Sequence, residues 1–133
     1  MKKSVFVIVL GALFMCSCTC LSSKQGVYFK NLKDGDVVSS PVTVEMGVRG
    51  IEVKPAGMLA EGSGHHHIII DKGGIENGAV VPADEKHIHF GKGQTETELK
   101  LSKGKHTLTL QFANGIHQSY GKTLSKTITI TVE

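Results

Sequence analysis

Seven histidines occur in the 133-residue chain, and five of them fall in two short stretches. One is Gly64-His65-His66-His67-Ile68-Ile69-Ile70-Asp71, the other His87-Ile88-His89-Phe90-Gly91-Lys92-Gly93-Gln94-Thr95. Both mix β-branched and aromatic residues at period-two spacing between glycine-rich segments, so both read as strands. Residues i and i+2 of a strand share a face, about 7 Å apart along the backbone. His65 and His67 therefore point one way together, as do His87 and His89. If the core claims Ile68, Ile70, Ile88 and Phe90, both pairs turn outward. Two such strands side by side would gather four imidazoles, and imidazole is the commonest metal ligand among side chains. A nitrogen-rich, sulfur-free set suits zinc, copper(II) or nickel. The expected ligands are His65, His67, His87 and His89, holding copper or zinc. Asp71 and Asp84 are candidates for further ligands or for acceptors of imidazole N–H groups. The competing reading is that exposed histidines at alternate positions bond locally and bind nothing.

His66 lies on the opposite face and is expected in the core, bonded to a backbone carbonyl. His106 opens a strand after a turn and is expected to be structural. Met46 belongs to an alternating strand and reads as core, and Met58 alone in a loop is weak support for a thioether site. Catalysis has little footing: there is no Gly-x-Ser-x-Gly elbow, no cysteine in the folded part and no glycine-rich phosphate loop opening a helix.

The elements that must position these histidines are strands throughout. Val27-Tyr28-Phe29 opens the domain, and Lys33-Asp34-Gly35-Asp36 is a turn. Val42, Val44, Met46 and Val48 alternate in a second strand that follows Pro41. The two histidine strands come next. Thr95 to Leu101 and His106 to Phe112 alternate cleanly and flank Ser102-Lys103-Gly104-Lys105, which predicts a hairpin. Thr123 to Val132 closes the domain with Ile128, Ile130 and Val132 inward. The expected buried set includes Val42, Val44, Leu99, Leu101, Leu108, Leu110, Ile128 and Ile130. About seven strands with turn-rich connections and no helix pattern predict an all-β, immunoglobulin-like sandwich, with a Greek-key barrel as the alternative.

The front end has a different character. Lys2 and Lys3 precede an apolar run from Val5 to Met15, too short for a stable membrane span, and then Met15-Cys16-Ser17-Cys18-Thr19-Cys20. This reads as a lipoprotein-type signal peptide over 1–17, with Cys18 as the lipidated residue because Ser17 precedes it; Cys16 is the runner-up. A tether over 18–26 and a β domain over 27–133 follow. All three cysteines lie in the leader region, so the folded part has no disulfide and no thiolate ligand. The net charge is +3, and without Lys2 and Lys3 it falls to thirteen basic against twelve acidic residues. No basic stripe remains, which excludes nucleic acid as a partner.

The blocks Gly64-His65-His66-His67, Asp71, His87-Ile88-His89-Phe90-Gly91, Gly93-Gln94-Thr95 and Gly104-Lys105-His106-Thr107-Leu108 resemble the bacterial domain-of-unknown-function family 4399. The likeness covers nearly all of Val27 to Glu133. It implies an exported or lipoprotein setting and carries no activity with it. The segment from Asn114 to Lys122 is compact here, which places His117 outside any shared site. Two functions are therefore expected: a lipid-anchored cell-envelope domain binding copper or zinc through a histidine cluster, or an immunoglobulin-like module that contacts an envelope protein or glycan without metal. A metal-dependent enzyme is the third and least supported.

Overall fold

The computed structural model describes residues 24–133. The expected signal peptide, Cys18 and most of the tether lie outside the described residues. Among the described residues nine strands form: β1 (Gly26–Phe29), β2 (Val37–Val38), β3 (Val42–Arg49), β4 (Glu52–Val53), β5 (Ser63–Ile70), β6 (His87–His89), β7 (Glu96–Leu99), β8 (Gly104–Ala113) and β9 (Ser125–Val132). A 3-10 turn, Gly121–Leu124, precedes β9. The seven expected strands are all present; β2 and β4 are two-residue additions.

The strands make two sheets, one ordered β1-β3-β7 and one ordered β2-β9-β8-β5-β4, with β6 also paired to β5. This is the predicted all-β sandwich, two sheets rather than a closed barrel. Its core is where the inward faces meet: Val42, Val44 and Met46 from β3, Ile68 and Ile70 from β5, Leu108, Leu110 and Phe112 from β8, and Ile128, Ile130 and Val132 from β9. Period-two alternation places them there, since each strand buries its apolar set on one side. Leu101 is only half-buried, just beyond the end of β7.

The predicted hairpin does not form. β7 pairs with β3, whereas β8 pairs with β5 and β9. The segment from Lys100 to Lys103 thus crosses between sheets. Alternation told both strands which face to bury but not which neighbour to bond.

β8 is the spine of the larger sheet. Its antiparallel register with β5 runs from His65↔Ala113 to Ile70↔Leu108. β6 lies on the other side of β5 with His67↔His89, Ile68↔Ile88 and Ile69↔His87. The two histidine stretches are therefore direct neighbours. The sheet's outer face at β5 is also covered, by the connections before β6 and after β8. These meet through the bridge Val80↔Gln118, and the second of them folds back on the end of β8 through Ala113↔Ser119. The Tyr120 hydroxyl donates to the Ser63 carbonyl at 2.7 Å, fastening the cover to β5. In consequence every residue of β5 is buried.

Candidate metal centre

The site begins with one cross-strand pair. Phe90 N–H donates to His66 C=O and Ile70 N–H to Lys86 C=O. These ladder bonds make 66/90 and 70/86 the bonded pairs, so His67 and His89 form a non-bonded pair, the kind whose side chains stand closer. Their rings stack at 5.1 Å between centroids. His65, two residues back on the same face, is the diagonal neighbour, with its ring 4.8 Å from His67 and 4.9 Å from His89. Nitrogens of His65, His67 and His89 all lie within 4.8 Å of one another. Gly91 leaves the room for this: a Cβ there would stand 2.2 Å from His89 Cε1, inside the imidazole.

A fourth ring enters from the cover. His117 stands 5.0 Å from His65 and 4.7 Å from His89 between centroids. Its Nε2 is 3.0 Å from His89 Nε2, which is itself 3.1 Å from His65 Nε2. A neutral imidazole nitrogen carries one N–H or one lone pair, so His89 Nε2 serves one of these neighbours well and opposes the other. Nitrogens bound tetrahedrally to zinc at about 2.0–2.1 Å stand roughly 3.3 Å apart, close to the spacing seen here. The backbone at His117 is left-handed, φ 69°, a conformation uncommon outside glycine and costing about 1–2 kcal/mol.

The three strand histidines are shifted toward the neutral form. Burial, then the neighbouring His89 and His117, lower His65 to about 4. Burial, then His65, His89 and His117, lower His67 to about 3. His89 is shifted down as well, by burial and His117. Neutral rings present lone pairs, which is what a metal needs. His65 Nδ1 and His67 Nδ1 are buried without a hydrogen-bond partner among the described residues. A cleft of about 230 Å³ lined by Val80, Val81, Pro82 and Ala83 with His67, His89 and His117 leads to the rings. His67 is the buried histidine of its lining, His65 is buried with its ring 4.8 Å from His67, and His89 is exposed.

Of the four histidines expected from spacing, the structure brings together His65, His67 and His89 and leaves His87 apart. His87 does share a face with His89, but it lies opposite Ile69, two pairs further from His65. Its Nδ1 is 2.6 Å from Asp84 Oδ1, which also accepts the backbone N–H groups of Lys86 and His87. His117, placed outside any shared site by the sequence reading, stands beside these three instead. No motif pointed to it, because its approach depends on how a polar connection folds back over the sheet.

Asp71 and Asp84 bond elsewhere rather than to the cluster. Asp71 accepts from Thr107 N–H at 3.0 Å and meets His106 Nδ1 at 3.0 Å. His106 Nε2 lies 2.9 Å from the Ser102 carbonyl, so both ring nitrogens face acceptors. The Asp71 hydrogen bond, then that carbonyl, raise the His106 pKa above its ordinary value. Burial alone would raise the Asp71 carboxyl, but the hydrogen bonds from His106 and Thr107 and the nearby positive charges hold it below the usual range. The order Ser102, His106, Asp71 looks like a nucleophilic triad, yet the Nε2 that would take the serine proton is already donating to a carbonyl. The reading of His106 as structural fits this geometry.

His66 points into the core as expected, fully buried, with its ring 5.0 Å from Phe112. It differs from expectation in having no hydrogen-bond partner at either nitrogen. Its backbone carbonyl is engaged by Phe90, but its ring faces apolar neighbours. Burial, then the neighbouring His65 and Lys30, lower its pKa to about 4.

The family described as "Domain of unknown function (DUF4399)" matches residues 44–133, and the chain belongs to it. The match runs from within β3 to the end of β9 and so contains all four clustered histidines. No curated protein and no solved structure matches the chain.

Proposed function

We propose that this member of the family is a lipid-anchored cell-envelope domain that binds a divalent transition metal, copper or zinc, through His65, His67 and His89. One observation carries the metal reading: three imidazoles from two paired strands converge with their nitrogens within 4.8 Å. Burial that keeps the rings neutral, and the orphaned nitrogens of His65 and His67, support it. The anchor rests on the leader alone, through Cys18 after Ser17. Such a domain would act as a carrier, buffer or sensor of the ion.

The test is titration of zinc and copper(II) into tag-free protein, followed by His67→Ala, His89→Ala and His87→Ala, each alone. The first two variants lose binding and His87→Ala keeps it. Parent-like binding by His67→Ala and His89→Ala would sink the metal reading. Mass spectrometry of the membrane fraction tests the anchor, and an unmodified chain beginning after Cys20 would exclude it. The second reading, an interaction module, has the exposed Met58, Leu59, Val80 and Ile116 in its favour. It takes over if no ion binds.

A further inference from the structure

We infer that His117 is the fourth ligand, making the centre a closed four-imidazole site that holds a tetrahedral ion and leaves no position for water or substrate. This rests on the metal reading above and adds the coordination number, and with it the kind of site.

The geometry of the covering loop carries the inference. His117 Nε2 stands 3.0 Å from His89 Nε2, and its ring centroid lies 5.0 Å from His65 and 6.0 Å from His67. It therefore approaches the three strand histidines from the side that the sheet cannot supply. The loop is built to hold it there. Asn114 Oδ1 accepts from Ile116 N–H and Gln118 N–H, and Asn114 Nδ2 donates to Gln118 Oε1. His117 N–H donates to Asn114 C=O, and His117 C=O accepts from Val81 N–H. Its backbone takes φ 69°, where glycine is the usual occupant. A histidine held by two backbone hydrogen bonds, in a loop braced by three more from Asn114 and in a backbone conformation that favours glycine, is explained by what its side chain reaches.

Closure has chemical consequences. Structural zinc sites fill all four positions with protein ligands, whereas catalytic ones keep one for water. Four imidazoles closing on one ion suit zinc better than copper(II), which prefers tetragonal geometry. Exposed His89 and half-buried His117 are the outer pair, and His65 and His67 the inner pair. The ion then enters and leaves by exchange at the outer two.

The experiment uses cobalt(II) as a coloured stand-in for zinc, in the tag-free protein and in His117→Gly. Glycine suits the backbone here and removes the ligand, so the metal-free variant folds at least as stably as the parent. The parent shows the intense visible bands of tetrahedral cobalt, unchanged by azide. In His117→Gly the affinity falls tenfold or more, since loss of even an outer partner of a ligand costs 10–100-fold, and azide alters the spectrum by taking the opened position. Unchanged affinity in His117→Gly, or an azide response in the parent, overturns the fourth ligand while the three-histidine site stands. Failure of the parent to bind cobalt or zinc overturns both.

Discussion

Replacing His66 by Phe should stabilise the domain, and increasingly so as the pH falls. The ring sits on the core face of β5 against Phe112, with neither nitrogen bonded. A buried polar atom without a partner costs about 1–3 kcal/mol, and an aromatic ring of similar size removes two of them. Imperfect fit offsets part of this, by less than about 1.5 kcal/mol. The pH dependence is the sharper quantity. In the unfolded chain the ring titrates near 6.5, and in the fold near 4. The folded value is the lower one, so the stability contribution is complete above about 6.5 and is lost as the pH falls toward about 4. At 1.36 kcal/mol per pK unit, linkage at His66 removes about 2 kcal/mol from the parent between about pH 7.5 and pH 5 and is absent from the variant, while the other buried histidines act on both proteins alike. Urea denaturation of both proteins at the two pH values, in chelator, measures the difference of differences, from which the fit term cancels. A change below about 0.5 kcal/mol would mean that His66 finds a partner or that solvent reaches it.

Three further outcomes follow from the site. Gly91→Ala places a methyl group where the His89 ring lies and should weaken zinc binding by about 10–100-fold, the scale for disturbing a ligand's support, read by competition with a chromophoric chelator. Metal affinity should persist below pH 6.5, where ordinary histidines protonate, and collapse only as the pH falls toward the depressed values of His65 and His67, about 4 and 3; pH-dependent titration reads this, and a midpoint at 6.5 would contradict the burial argument. His106 has a raised pKa and Asp71 a lowered one. Their pairing is thus complete between about 3.8 and 6.5, lost above as His106 gives up its proton and below as Asp71 gains one. His106→Ala should cost about 1 kcal/mol at pH 5.5, discounted for the exposure of Asp71, and less at pH 9.

How much of this was legible depends on the range over which each cause acts. Period-two alternation is local, so the chain by itself specified the seven main strands, the inward faces of β3, β5, β8 and β9, and the fact that His65 stands with His67. The resemblance of its histidine and glycine blocks led to the right family. Strand partners are a non-local matter. A clean turn between β7 and β8 looked like a hairpin, yet β7 bonds β3 because sheet membership is settled by packing of the whole core. The register of β6 on β5 is likewise non-local: with His67 opposite His89, His87 falls opposite Ile69 and turns to Asp84. The largest surprise concerns the outer face. Alternation shows that His65 and His67 point away from the core, but it carries no information about what lies above them. The covering connections bury that face, depress the pKa of its histidines and deliver His117, none of which leaves a periodic mark in the sequence. Only the folded loop, with Asn114 bonded to Ile116 and Gln118, decides that a ring 28 residues beyond His89 completes the cluster.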